Sequence, residues 1–124
     1  MRNPRHTSMI LEELIATGIS PERFTTASRV LGGSSWERLE AALSAAFMDE
    51  QLGELRALYE WPGSWTEPDP GSVPFPPSVS DAAVAELDRR VQGDGLESHA
   101  CAVLLYMNAR ARALRRFRAL RHEA

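Results

Sequence analysis

The chain predicts an all-α fold, a single compact bundle of about five helices around one long central helix, with one proline-rich loop. Three observations carry that expectation. Apolar residues recur at steps of three and four through most of the chain, the spacing that gathers side chains on one face of a helix. Serines and glycines stand at the edges of those stretches, where helices start and stop. Six of the eight prolines fall between positions 62 and 77, so the breakers are concentrated in one connection. With 124 residues, 44% apolar and 25% charged, the chain has material for one domain with its own core.

Thr7 or Ser8 is placed to cap a first helix, with Met9, Ile10, Leu11, Leu14 and Ile15 as its buried side and Gly18 as its end. Ser20 caps a second. Pro21 takes the first helical position and Glu22 the first turn, where the helix dipole favours an acid. Phe24, Ala27, Val30 and Leu31 form its apolar stripe, and Gly32 with Gly33 closes it.

Leu11 to Gly33, LEELIATGISPERFTTASRVLGG, resembles a helix-turn-helix unit with Gly18, Ile19 and Ser20 at the turn. The resemblance implies that the second helix lies in a DNA major groove and reads bases through Arg23, Thr25, Thr26 and Arg29. It covers about a fifth of the chain and departs from the pattern at Leu14, where such units carry a small residue. A leucine there holds the two helices further apart.

The longest uninterrupted pattern is Ser34 to Trp61, read as the central helix. Ser34 and Glu37 have the S-x-x-E spacing of a capping box. Trp36, Leu39, Leu43 and Phe47, then Met48, Leu52, Leu55 and Tyr59, follow one slowly drifting face, and the segment would reach roughly 40 Å. Gly53 marks the place where such a helix would bend or break, near Asp49 to Gly53.

Pro62 to Val79 is a loop long enough to run back along the central helix. Trp61, Trp65 and Phe75 either anchor it to the core or form a partner-binding surface. Ser80 caps a fourth helix with Val84, Leu87 and Val91 inward, and Gly93-Asp94-Gly95 forms a turn after it. Ser98 caps the last, running to about His122, with Val103, Leu104, Met107, Leu114 and Phe117 on its core side. At about 100° per residue, Arg110, Arg118 and Arg121 fall near that side and Arg112, Arg115 and Arg116 away from it. No single stripe survives past Leu114, where the helix is expected to leave the core.

The net charge of −3 is unevenly spread: residues 1–48 carry five arginines and five acids, 49–98 three and eleven, 99–124 six and one. The acidic middle and the basic end are suited to pair within one molecule, between two copies, or with an outside partner. Every basic residue is arginine, which with the many alanines suggests a GC-rich bacterial or phage genome.

Cys101 is a lone cysteine among apolar neighbours and reads as a small core residue; no cofactor or metal is expected. None of the local motifs for metalloprotease, P-loop, nucleophile elbow or dinucleotide chemistry is present, so the chain is read as a non-enzyme. The start of the chain, with Glu12 and Glu13 interrupting its apolar stretch, is read as lacking a signal peptide, and the protein as cytoplasmic. The expected function is a small interaction protein: an adaptor, inhibitor, immunity or regulatory factor, or phage assembly component. Its protein partner would meet Trp61, Trp65, Phe75, Arg112, Arg115, Arg116 and Arg118. The alternative is a helix-turn-helix DNA-binding regulator, and the sequence leaves monomer and homodimer open.

Overall fold

The computed structural model describes residues 4–33, 35–64, 71 and 73–123, with side-chain surroundings as far as Leu120. Six helices and no strand occur among the described residues: α1 (Pro4–Thr17), α2 (Pro21–Leu31), α3 (Trp36–Leu43), α4 (Asp49–Glu60), α5 (Asp81–Arg90) and α6 (Gly95–Glu123). Each of the five shorter helices packs on α6, and the main further contact is between α3 and α4. Among the described residues no helix is long and apolar enough to cross a membrane.

The fold is the expected all-α bundle, but the helix at its centre is the last one. Every residue from Ala100 to Ala109 is buried. A helix enclosed on all sides has no polar face, so no amphipathic period marks it as central. Its small residues serve the packing: Ala100, Ala102, Ala109, Ala111 and Ala113 are all fully buried, which lets neighbouring helices approach closely. The core also runs past Leu114, because Phe117 is buried with its ring 5.4 Å from that of His6 on α1.

The expected Ser34–Trp61 helix is two helices. Phe47 to Leu52 is a step of five, so the stripe of Leu39, Leu43 and Phe47 is out of phase with that of Leu52, Leu55 and Tyr59. The turn between α3 and α4 restores the phase, keeping Phe47 inside and turning Met48 out to 65% exposure. The Met48 N–H donates to Gln51 Oε1 at 2.9 Å, and Asp49 and Glu50 occupy the first turn of α4 where the dipole favours them. The break thus precedes the Asp49–Gly53 region, and Gly53 sits exposed within α4. Ser34 lies outside the described residues; the residue before α3 is Ser35, whose side chain makes no cap bond to the helix backbone.

α1 is already helical at Pro4, so Thr7 and Ser8 lie inside it instead of capping it. Its inward residues are His6, Met9, Ile10, Glu13 and Leu14, which at about 100° per residue share one side. Leu11 and Ile15 project the other way, 53% and 80% exposed, contrary to the expected buried stripe.

α2 follows its local signals. Ser20 Oγ accepts from the Arg23 N–H at 3.0 Å, Pro21 opens the helix, and Gly32 closes it at φ 54° with its N–H on Ser28 O. Phe24 stacks on Tyr106 of α6 with centroids 4.0 Å apart, whereas Val30 stands outside the stripe at 46% exposure. Ser80 Oγ likewise caps α5 through the Ala83 N–H. Gly95, at φ 85°, makes the left-handed turn into α6 and moves its start ahead of Ser98. Ser98 instead donates to Val91 O at 2.8 Å.

Candidate interaction surface

A proline-rich backbone makes no regular hydrogen bonds of its own, so its carbonyls need donors from elsewhere. In this protein α6 supplies them. Arg118 Nη2 donates to Val73 O at 2.6 Å, Arg115 Nη1 to Pro77 O at 2.7 Å and Arg110 Nη1 to Ser64 O at 3.0 Å. Trp61, 4% exposed, adds Nε1 to Pro74 O at 3.0 Å. Ser64 is buried and its hydroxyl donates to Leu58 O, fixing the exit from α4. Gly63 is required here: a Cβ would lie 2.5 Å from the Trp61 ring. The described part of the loop is a strap held by cationic and indole donors.

Arg115 shows what this clamp demands. Burial pushes its guanidinium below the usual arginine range, with Arg112 adding repulsion and Glu13 only partly offsetting it. Arg110 lies over the Tyr106 ring at 5.0 Å and the Phe24 ring at 5.9 Å. It joins α2, α6 and the loop in one cluster.

Phe75 is carried on this strap at 68% exposure, between the fixed carbonyls of Pro74 and Pro77, with Arg118 6.0 Å from its centroid. Of the three aromatics singled out in the sequence, Trp61 is a buried anchor, Phe75 is displayed, and Trp65 lies outside the described residues.

The remaining predicted arginines turn to α1. Arg116 pairs with Glu12 at 3.0 Å and Glu13 at 3.1 Å, and Arg112 with Glu13 at 3.4 Å. Pairing within the molecule therefore occurs, but these pairs reach the amino-terminal helix and not the acidic middle. That middle has its own local pairs, Arg56–Glu60 and Arg89 and Arg90 with Glu86. The two arginines hold the Glu86 carboxylate below its usual range. Glu13, 8% exposed, is the sequence signal for this pairing: an acid between Met9, Ile10 and Leu14 on the inward side of α1 requires a cation opposite.

On α2, Arg23 reaches α6, with Nη1 2.9 Å from His99 Nδ1 and Nη2 donating to Ser98 Oγ at 2.8 Å. Thr25 bonds back to Pro21 O at 2.9 Å. Thr25, Thr26 and Arg29 are exposed, so three of the four residues proposed to read bases share the outer surface and Arg23 is turned from it. Arg23, Thr26 and His99 also line an open cleft of about 510 Å³, together with Glu22 and Asp94.

Cys101 is fully buried, and desolvation pushes its thiol up to about 12. Among the described residues no three His, Cys, Asp or Glu side chains are grouped to hold a metal ion. Comparisons with family models, with curated proteins and with solved structures give no match to this chain.

Proposed function

We propose that the chain is a small non-enzymatic interaction protein, of the adaptor, inhibitor, immunity, regulatory or phage-assembly kind, that captures a protein partner through Phe75. One observation carries the reading: a phenylalanine left 68% exposed on a segment whose flanking carbonyls are fixed by Trp61, Arg115 and Arg118. An aromatic side chain on an already ordered backbone loses little entropy on docking, the property of an interface anchor. The partner's complement is an apolar pocket with an acidic rim, because Arg115 donates to a carbonyl two residues from Phe75 and keeps its charge there. Arg112, Arg115 and Arg116 act in this reading as supports of the strap and of α1, and Trp61 as the loop's anchor.

The test is a displayed random-peptide library panned on the immobilised protein. Selected peptides are expected to carry an aromatic or aliphatic residue beside Asp or Glu and to bind Phe75→Ala at least about tenfold more weakly, the scale of an anchor truncation. Equal binding by Phe75→Ala removes the proposal.

The DNA reading is supported by the shared exposure of Thr25, Thr26 and Arg29 on α2. It requires that Arg29→Ala weaken one preferred duplex more than bulk DNA; equal weakening eliminates base readout.

A further inference from the structure

The open cleft of about 510 Å³ lies where the start of α2 meets the α5–α6 turn and the start of α6. It holds opposite charges that do not pair with each other. Arg23, half-buried, spends its bonds on His99 Nδ1 and Ser98 Oγ, two uncharged acceptors, so its guanidinium keeps its full charge. Glu22 and Asp94 line the same cleft, are exposed, and among the described residues form no ion pair. We propose that the cleft binds a free α-amino acid, its carboxylate on Arg23 and His99 and its ammonium on Glu22 and Asp94.

The bonds already in place prepare the carboxylate half. A guanidinium cannot accept a hydrogen bond, so the 2.9 Å contact of Arg23 Nη1 makes His99 Nδ1 the acceptor and leaves the ring hydrogen on Nε2. Ser98, 3% exposed, accepts from Arg23 Nη2 and donates to Val91 O, which fixes the guanidinium from the buried side. The remaining guanidinium donors and the His99 Nε2–H are left for a planar carboxylate, the group such a fork matches. The starts of α2 and α6 both border the cleft and add the positive ends of two helix dipoles.

The acids decide against a simple anion. Glu22 precedes Arg23 on α2, and adjacent residues of a helix do not face each other, so neither satisfies the other. A purely anionic ligand would meet two carboxylates and a purely cationic one would meet Arg23, whereas a zwitterion complements both. The volume falls within the about 300–1,000 Å³ of small-molecule sites. Val91 is the one apolar side chain among the lining residues, so a small or polar amino acid fits better than a large aliphatic or aromatic one. The cleft shares no lining residue with the Phe75 strap, and the inference stands or falls independently of the proposed function.

Proton–nitrogen correlation spectra of the full chain, titrated with each free proteinogenic L-amino acid up to about 10 mM, test it in the range expected of a ligand with few contacts. At least one small or polar amino acid is expected to shift the amides of Gly93, Gly95 and Ser98 and the His99 ring Nε2–H saturably. Its amide, which lacks the carboxylate, and its N-acetyl derivative, which lacks the ammonium, are each expected to bind at least about tenfold more weakly, as is the parent to Arg23→Met. Glu22→Gln with Asp94→Asn, both at exposed positions, is expected to keep wild-type circular dichroism and to weaken the amino acid to a similar degree. No saturable shift with any of the amino acids overturns the proposal. So does an N-acetyl derivative or an amide that binds as tightly as its parent, or an affinity that the Glu22→Gln, Asp94→Asn protein retains.

Discussion

Two glycine-to-alanine substitutions should shift stability in opposite directions. At Gly63 an added Cβ would meet three carbons of the Trp61 indole at 2.5, 2.6 and 2.8 Å, about 1 Å inside ordinary carbon–carbon contact. The indole has nowhere to go, being 4% exposed and bonded through Nε1 to Pro74 O. Forcing a methyl into such a site costs about 1–3 kcal/mol, and losing the indole hydrogen bond about 1 more. At Gly53, inside α4, a Cβ meets nothing within 4 Å, and alanine there stabilises by about 0.5–1 kcal/mol by restricting the unfolded chain. With unfolding entropy of about 2.1 cal/mol/K per residue, 1 kcal/mol moves the midpoint of this chain by about 4 °C. Gly63→Ala is therefore expected to melt about 8–16 °C below wild type, and Gly53→Ala about 2–4 °C above it. Thermal unfolding by circular dichroism, with tryptophan emission to report on Trp61, measures both. A Gly63→Ala protein melting within about 2 °C of wild type with unchanged emission would show that the indole is not wedged as described.

Other outcomes follow from the same geometry. The Cys101 thiol rises from an ordinary 9.0 to about 12 on folding, so between those pH values the unfolded state loses its proton while the native state keeps it. Stability should then fall by about 1.4 kcal/mol per pH unit above pH 9, and less steeply in Cys101→Ala, as read by urea denaturation across that range. Native Cys101 should also resist thiol reagents at neutral pH and react only on unfolding. Arg115→Met removes the donor to Pro77 O and should let proteinase K cut the strap at least several-fold faster with little loss of helix content; an unchanged cutting rate rejects the clamp. Glu13→Ala leaves Arg112 and Arg116 without their inward partner. As both arginines are about half exposed, a loss of only about 1–2 kcal/mol is expected, tested by denaturant titration.

What was legible in the chain is local chemistry. Ser20 with Pro21, Gly32 and Ser80 mark helix ends because each satisfies backbone groups within a few residues of itself, so sequence neighbours contain the whole interaction. The centrality of α6 is not local: residues 100–109 are buried by five other helices, and full enclosure erases the period that betrays a one-sided helix. The α3–α4 break was obscured because Ser44 to Met48 contains neither glycine nor proline. Only the five-residue step from Phe47 to Leu52 records it. On α1 the angular positions did hold the answer, since a single face cannot contain both Met9 and Ile15. The exposure of Leu11 and Ile15 follows from their position around the helix and not from the number of apolar residues in it. Phe75 was identifiable as an anchor or a ligand, but the choice depended on Arg115 and Arg118, some forty residues away, which donate to carbonyls of the strap where the charge pattern alone pairs arginines with acids.

That difference changes how the basic end of the chain must be tested. A guanidinium paired with a carboxylate is largely neutralised, as Arg116 is by Glu12 and Glu13. One that donates to a carbonyl keeps its full charge. Arg110 and Arg115 are bound to carbonyls of Ser64 and Pro77, so holding the strap leaves net positive charge beneath it in a protein whose total is −3. Charge reversal at Arg115 would weaken that field and also release the strap, confounding recognition with loop order. Salt separates the two effects, because it screens the field but leaves short donor–carbonyl bonds in place. If Phe75 docks in an acid-rimmed pocket, selected peptides should dissociate faster as salt rises from about 50 to about 500 mM, with proteinase K cutting of the strap unchanged. Salt-independent dissociation would leave Phe75 as a purely apolar anchor and assign the arginines to structure alone.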